Sequence, residues 1–518
     1  MAIDRDGATR WFARRVENES SPKRPPPQPI SRIPPRMFRL IACMFALAFL
    51  TPGTVLADQR PNVLWIVLDD LGPEIGCYGT PHVSTPAMDQ LSSEGVRFTR
   101  CFSTSPVCSA SRSALVTGMY QTSIGAHHHR TRKMKPLPEG VQTVMQQFGD
   151  AGYFVCDLKP PGAKGKAKRD YNFVADDDQF HGDDWSQRRD GQPFFAQVQI
   201  HEPHRPFVHD DDPERADKVT LPPNVPDHPV ARADMANYLA SVEQGDKHVA
   251  AILQRLDAEG LRENTLIMLF GDHGRPHVWG KQWLYDEGIH TPLIVAGPMI
   301  DHPGTSSDAL VSLIDVAPTC LRAANITPHA RTEGVDILAD DFKGREFIFA
   351  ARDRCGEAAD RIRAIRDTRY KYIRNFYPDR PYTQTSSYKQ LSYPVVTLLE
   401  VLRAQGKLSP EAERMMQKTR PAEELYDLKS DPDELHNLAE NPEHEETLQR
   451  MRTQLNQWIE SSGDQGAIRE GDQAYHDAIT AEKQKWYENT QRKRGLDPNV
   501  SADQYLEWWN KELLHSAR

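Results

Sequence analysis

Residues 62–68 read Asn-Val-Leu-Trp-Ile-Val-Leu and run directly into Asp69-Asp70. A run of this kind, with no polar–apolar alternation, cannot leave one face in water. It predicts a strand buried on both faces, as in parallel sheets covered by helices on either side. The runs at 194–200, 265–270 and 292–296 are similar. Helical spacing lies between these runs. Thr85-Pro86 opens one helix through Leu91, with proline at a tolerated first-turn position. A second helix is expected over roughly residues 231–259, where Met235, Leu239, Val242, Val249, Leu253 and Leu256 recur near helical spacing. Strands alternating with helices predict an α/β fold with a mainly parallel sheet flanked by helices.

The character changes near residue 345. Residues 345–350 and 370–376 read as strands of a smaller, antiparallel sheet, and residues 424–438 as a strand, a turn and the start of a helix. From about residue 468 the chain is polar but carries Trp486, Trp508 and Trp509, the pattern of a helical extension packed on the body. A length of 518 residues accommodates two or three such domains.

Near the N-terminus, residues 38–57 form a short apolar run behind a basic flank, ending in Val55-Leu56-Ala57 before Asp58. The run is too short to favour a membrane span and has the form of a secretory signal over residues 37–57. Residues 1–36, rich in Arg and Pro, are either a long basic leader or lie upstream of a start at Met37. The chain is therefore expected to be exported, periplasmic or secreted, with no stable membrane insertion once the signal is cut. Net charge is −10, which gives no case for nucleic acid as partner and requires a locally basic cleft for any polyanionic substrate. The seven cysteines show neither zinc spacing nor a disulfide framework; export makes one disulfide conceivable without choosing the pair.

Four segments carry the chemistry. Asp69 and Asp70 are adjacent carboxylates at a strand's end, which repel unless a cation neutralises them. Gly271-Asp272-His273-Gly274 follows the strand at 265–270. Carboxylate oxygens favour calcium or magnesium, whereas the imidazole suits manganese or zinc. Calcium is the expected ion, with magnesium and manganese as alternatives. Cys108-Ser109-Ala110-Ser111-Arg112 opens a helix whose free amides would face an anion, with Arg112 able to form forked hydrogen bonds. His201-Glu202-Pro203-His204-Arg205-Pro206 follows the strand at 194–200 and offers an acid or anion contact. Lys168 and Lys281 add positive charge. His127-His128-His129 reads as a polar loop near the pocket, because consecutive residues do not converge on one ion.

These residues, in this order, resemble the sulfatase family over about residues 60–465. The segment Cys108–Arg112 is similar to that family's signature, with Ala110 where Pro is commoner. The resemblance implies an alkaline-phosphatase-like α/β catalytic domain (58–345) behind the N-terminal extension and signal (1–57). A smaller C-terminal α+β domain (346–467) and a helical extension (468–518) would follow. It implies that a maturation enzyme oxidises Cys108 to formylglycine, whose hydrated aldehyde is the nucleophile. It makes Asp69, Asp70, Asp272, His273 and Cys108 the metal ligands. Arg112, Lys168, His204 and Lys281 become the sulfate-binding and acid/base groups. Two positions depart from the family pattern: His273 replaces a common Asn, and Asp170 stands where many members carry a His. Within the family the chain most resembles the heparan N-sulfatase branch, on residues 201–205, 231–234, the spacing of Asp272 to Lys281, and 423–438. Arg352, Asp353, Arg354 and Arg363 are then expected to line the pocket. The implied substrate is a sulfated carbohydrate or other organosulfate, cleaved as a sulfate ester or N-sulfate. The rival readings are a phosphonate or phosphodiester hydrolase of the same superfamily and an unmatured sulfated-glycan-binding protein.

Overall fold

The computed structural model describes residues 60–162, 167–384 and 386–514. The expected signal at 37–57 lies outside them. A seven-stranded sheet is built from β1 (Asn62–Leu68), β2 (Gly95–Phe102), β3 (Phe154–Leu158), β4 (Phe194–Ile200), β5 (Thr265–Gly271), β6 (His290–Ala296) and β7 (Thr305–Ser312), in the order β3-β4-β1-β5-β6-β2-β7. β1 pairs in parallel with β4 and β5, β3 with β4, and β2 with β7. β6 runs antiparallel to both its neighbours, so the strand predicted at 292–296 is present but reversed.

β1, β4 and β5 are buried along their whole lengths. The apolar side chains of β1 alternate between two cores. Leu64, Ile66 and Leu68 face a layer with α1 (Pro86–Ser93) and the long helix at Pro229–Ala258. Val63, Trp65 and Val67 face a layer that includes α2 (Cys108–Thr117), α3 (Val144–Asp150) and the helix at Val316–Ala323. We call the 229–258 helix α4 and the 316–323 helix α5. α4 begins with Pro229 at its first position while the His228 side chain accepts from Val230 N–H, a start in which proline loses no needed donor. The missing alternation in β1 thus follows from helices covering both faces, each buried Leu or Ile contributing about 1.5–3 kcal/mol.

The second sheet contains β8 (Ile348–Arg352), β9 (Ile362–Arg366), β10 (Tyr370–Asn375) and β11 (Glu423–Asp427), antiparallel in the order β11-β10-β9-β8. β8 starts three residues later than expected, because Arg345 is held back by the Asp315 carboxylate and the Leu310 carbonyl. After β11 the chain turns, with Asp431 accepting from the Leu435 and His436 amides, and no helix begins at 438. α6 (Ser387–Ser392) and α7 (Pro394–Ala404) precede β11, and α8 begins only at residue 445 (Glu445–Ser461). Leu448, Met451, Leu455 and Trp458 of α8 cover Ile365, Tyr372 and Leu425 of the small sheet. The chain ends in α9 (Gln473–Lys493) and α10 (Ala502–Leu514), the latter packed on α7 through Tyr505, Leu506 and Trp509. The six cysteines of the described residues are free thiols, and no helix among those residues is long and apolar enough to cross a membrane.

Candidate active site

Strand order builds the site. β1 is flanked by β4 and β5, so Asp69-Asp70, the segment from His201 and Asp272-His273 leave neighbouring strand ends, the position where open α/β sheets bind ligands. Asp70 has a left-handed backbone (φ 66), a conformation Asp tolerates better than most residues, and its N–H donates to Asp272 Oδ1 at 2.9 Å. Gly271 permits the two loops to meet. A Cβ there would collide with the Leu71 carbonyl and lie 2.6 Å from Thr291 Oγ1.

α2 delivers Cys108 as its first residue, at the positive end of a fully buried helix that closes at Gly118 with φ 62. Arg112, one turn on, donates from Nη1 to the Lys168 carbonyl at 3.3 Å and also spans three side chains. Its Nε donates to Asp272 Oδ2 (2.9 Å), Nη2 to Asp69 Oδ1 (3.1 Å) and Nη1 to Gln199 Oε1 (2.6 Å). Lys168 pairs with the other oxygen of Asp69. Lys281 Nζ donates to both Asp70 oxygens (2.7 and 2.9 Å) and lies 3.3 Å from Cys108 Sγ. His204 Nε2 is 3.8 Å from Asp70 Oδ2. All nine predicted site residues therefore meet around one point.

The charges are strongly coupled. Burial works against ionisation of Asp69 and Asp70, yet Lys168 and His204 for the first, and Lys281 and His204 for the second, hold both well below the usual carboxylate range. For Asp272 burial wins and pushes the carboxyl up to about 7. Burial raises the Cys108 thiol, but the Lys168 and Lys281 ammonium groups outweigh it and bring the thiol down to about 7. His204 is lowered to about 4 by burial, which outweighs the pull of Asp70, so it is neutral at pH 7.

The donor set suits a divalent cation. Donor atoms of Asp70, Cys108 and His273 lie within 4.8 Å of one another, and so do those of Asp69, Cys108 and Asp272. The Gly274 carbonyl can only accept, so the 2.9 Å contact from His273 Nδ1 places a proton there and turns Nε2 towards Asp70 (3.1 Å) and Cys108 (3.3 Å). Despite burial, Asp272, Cys108 and Asp70 raise that imidazole well above its ordinary pKa, which marks a point where the carboxylates draw positive charge.

A cavity of about 320 Å³ opens over Lys281 and His204. Arg354 lines it, but the neighbouring arginines do not. Arg352 is bound to Asp360, and the wholly buried Arg363 is locked between Asp353 and Asp464. Those three positions, Arg352, Asp353 and Arg363, hold the small sheet together, because a buried guanidinium is tolerated only when paired. Other participants went unnoticed in the sequence. Gln199 was legible as a polar side chain in a buried strand, on the same side as Gln197, whose oxygen accepts from it at 2.8 Å. His129 alone of the three histidines reaches the centre, its donor atom within 4.8 Å of those of Cys108 and Asp170. An irregular loop has no periodicity by which to select it. Asp170 is itself held by Arg130 through a bidentate pair, closest at 2.9 Å.

Comparison with known proteins agrees with this arrangement. The family model described as "Sulfatase" matches residues 61–326, and one described as "N-sulphoglucosamine sulphohydrolase, C-terminal" matches residues 271–386. An ulvan-active sulfatase of Formosa agariphila is 34% identical, over 80% of this chain and 77% of the relative. Human N-sulphoglucosamine sulphohydrolase is 26% identical, over 78% of this chain and 91% of that protein. Among solved structures, one in complex with its substrate D-glucosamine-2-N,6-O-disulfate shares the fold with TM-score 0.58 and 17% identity, covering 78% of this chain and 99% of that one. The phosphonate monoester hydrolase of Agrobacterium radiobacter shares it with TM-score 0.56 and 18% identity, covering 78% and 96%. With the family model covering half of its length and the motif residues in place, this chain belongs to the sulfatase family and is a sulfuric ester hydrolase.

Proposed function

We propose that the protein is an exported sulfatase that removes sulfate from sulfated glycans, as O-sulfate or N-sulfate, with formylglycine at Cys108 and one divalent cation. The observation that carries this reading is the convergence of Cys108, three carboxylates and His273 with Arg112, Lys168, Lys281 and His204 beneath a cavity lined by arginine and lysine. The relatives named for ulvan and for N-sulphoglucosamine support a glycan as substrate class. The apolar run at 37–57 supports export.

Asp69, Asp70, Asp272, His273 and the oxidised Cys108 would hold the cation. Calcium fits the carboxylates, with magnesium or manganese as alternatives. The cation would supply charge that favours a deprotonated oxygen on the nucleophile. Formylglycine, as a hydrated aldehyde, would supply two hydroxyls, one to attack sulfur and one whose proton loss expels sulfate. The chain's own residues do the rest. Arg112 fixes the spacing of Asp69 and Asp272. Lys168 and Lys281, both cationic, neutralise the sulfate oxygens where charge develops. Lys281 Nζ, which is cationic, gives a proton to the departing oxygen or nitrogen; His204, neutral and with its Nδ1 proton held by the Arg205 carbonyl, can do so from Nε2 only after taking up a second proton. His273 favours parallel testing of phosphodiesters and phosphonates, because an imidazole ligand broadens the choice of metal.

The test is mass spectrometry of the tryptic peptide from Cys101 to Arg112, from protein made in its native host. A loss of about 18 Da at Cys108 is the expected result, being the thiol-to-aldehyde change that covalent catalysis needs. Cys108→Ala should abolish sulfate release from 4-nitrophenyl sulfate and sulfated sugars. An unmodified thiol in active protein, or an active Cys108→Ala variant, would overturn the mechanism. Sulfated-glycan binding without turnover would instead identify an unmatured binder.

A further inference from the structure

The cavity above the centre has a wall beyond the reach of both family models, which end at residues 326 and 386. α9 supplies it with Ile479, Glu482, Lys483 and Trp486, facing Arg130, Arg132 and Tyr388. Trp486 keeps 41% of its surface exposed, unusual for the largest apolar side chain, and Lys483 Nζ lies 5.6 Å from its ring centroid. The helix is firmly placed. Glu482 pairs with Arg132, and Lys133 Nζ sits 4.6 Å from the Tyr475 ring centroid. Just before α9, Glu470 accepts from Thr131 Oγ1, Arg354 Nη2 and Tyr475 Oη, each at 2.8 Å. The indole therefore stands fixed at the rim of a cavity whose floor, Lys281 and His204, belongs to the catalytic centre.

An exposed aromatic face beside cationic groups suits a ring with apolar C–H faces and an anionic substituent. Five cationic side chains line the cavity against two carboxylates, Glu357 and Glu482; Lys281, Arg130 and Arg354 are also paired with Asp70, Asp170 and Glu470 behind the lining, so the contact with an anionic substituent falls to the rim cations Lys483 and Arg132. We propose that α9 builds a second sugar subsite, for the residue next to the one that loses sulfate. Trp486 stacks on that neighbouring pyranose, and Lys483 and Arg132 take its carboxylate or sulfate. This rests on the glycan sulfatase reading and adds to it that the substrate is a chain, bound across at least two sugars. Contacts remote from the reacting sulfate would supply binding energy that a free monosaccharide lacks.

The experiment compares wild-type protein carrying formylglycine with Trp486→Ala and Lys483→Ala, on sulfated tetrasaccharides cut from ulvan and from heparin and on 4-nitrophenyl sulfate. Trp486→Ala should lower kcat/KM on the preferred tetrasaccharide about tenfold more than on 4-nitrophenyl sulfate, mainly through KM, with Trp486→Phe recovering most of the loss. Equal losses on both substrates would reduce Trp486 to a structural residue, and an unaltered tetrasaccharide KM would remove the subsite; either overturns the proposal. The glycan reading fails in a different way, when wild-type protein cleaves 4-nitrophenyl sulfate and neither tetrasaccharide. Calorimetric titration of Cys108→Ala protein with the tetrasaccharides then decides the subsite alone. Binding weakened about tenfold by Trp486→Ala supports it, and binding that is absent or indifferent to Trp486 overturns it.

Discussion

Arg112 shows how much one side chain can organise. Its three donor nitrogens face Asp272, Asp69 and Gln199, the first two directly after β5 and β1 and the third within β4. A lysine at this position would offer a point charge and could not satisfy two carboxylates and an amide in a fixed plane. Arg112→Lys should therefore lower kcat/KM on 4-nitrophenyl sulfate by about 100-fold or more, the scale on which misplaced catalytic groups lose activity. The circular dichroism spectrum should be retained. Near-wild-type kinetics would show that Asp69 and Asp272 hold their spacing without it. Arg112 was legible because it stands four residues after Cys108, the separation that places both on one helix face. His129 was not legible. Its approach to Cys108 depends on a bridge between His129 and Cys355, 226 residues apart.

Among the elements, the loop after β5 is the most constrained. Gly271 and Gly274 both lie where a Cβ would strike a backbone carbonyl, of Leu71 and Glu287 respectively. Gly271→Ala should push the Asp69-Asp70 and Asp272-His273 loops apart and destabilise the fold by about 1–3 kcal/mol. If the proposed cation is held there, the variant should need more added divalent cation after chelation to restore half-maximal activity; an unchanged requirement would show that loop contact is irrelevant to the ligand set. The segment before α9 is secured differently. Burial opposes ionisation of Glu470, but Arg354 and His128 outweigh it and lower its carboxyl from 4.5 to about 2. A lowered carboxyl stabilises fully above its unfolded value and loses that contribution as pH falls from 4.5 towards 2. The Tm gap between wild type and Glu470→Gln should then be widest near neutrality and narrow over that window. A gap constant with pH would mean the ion pair contributes nothing. The helical extension carrying Glu470 and Trp486 was expected from its tryptophans, but composition alone could not say which face of the molecule it covers.

On the scale of the whole molecule, the two sheets are joined by charge as well as by packing. Asp286, just before β6, binds Arg366 of β9 and Lys371 of β10, and Lys371 also meets Glu434. The Cys108 thiol lies inside this assembly with none of its surface exposed. On the proposed function, the enzyme that oxidises Cys108 is therefore expected to reach it before the chain folds. Incubating folded, unmodified protein with a formylglycine-generating enzyme should leave the 101–112 peptide at its thiol mass, whereas the same incubation during synthesis should convert it. Conversion of the folded protein would require an opening of α2 that its complete burial argues against.

What the sequence determined by itself was local. Uninterrupted apolar runs announced β1 and β5, because burial on both faces removes alternation, and a largely apolar run broken by Gln197 and Gln199 announced β4. The Asp69-Asp70 and Asp272-His273 pairs at strand ends and the Cys108–Arg112 spacing followed from reading along the chain. Edge strands such as β7, which opens Thr-Ser-Ser-Asp, gave no comparable signal, since one side of an edge is solvated. Tertiary structure alone decided which ends became neighbours. Lys168 reaches Asp69 across 99 residues and Lys281 reaches Asp70 across 211. It also decided that a helix near the C-terminus would stand over the cavity. Side-chain periodicity is a property of short segments, whereas strand order and loop convergence are set by contacts between residues remote in sequence. No local pattern encodes those contacts.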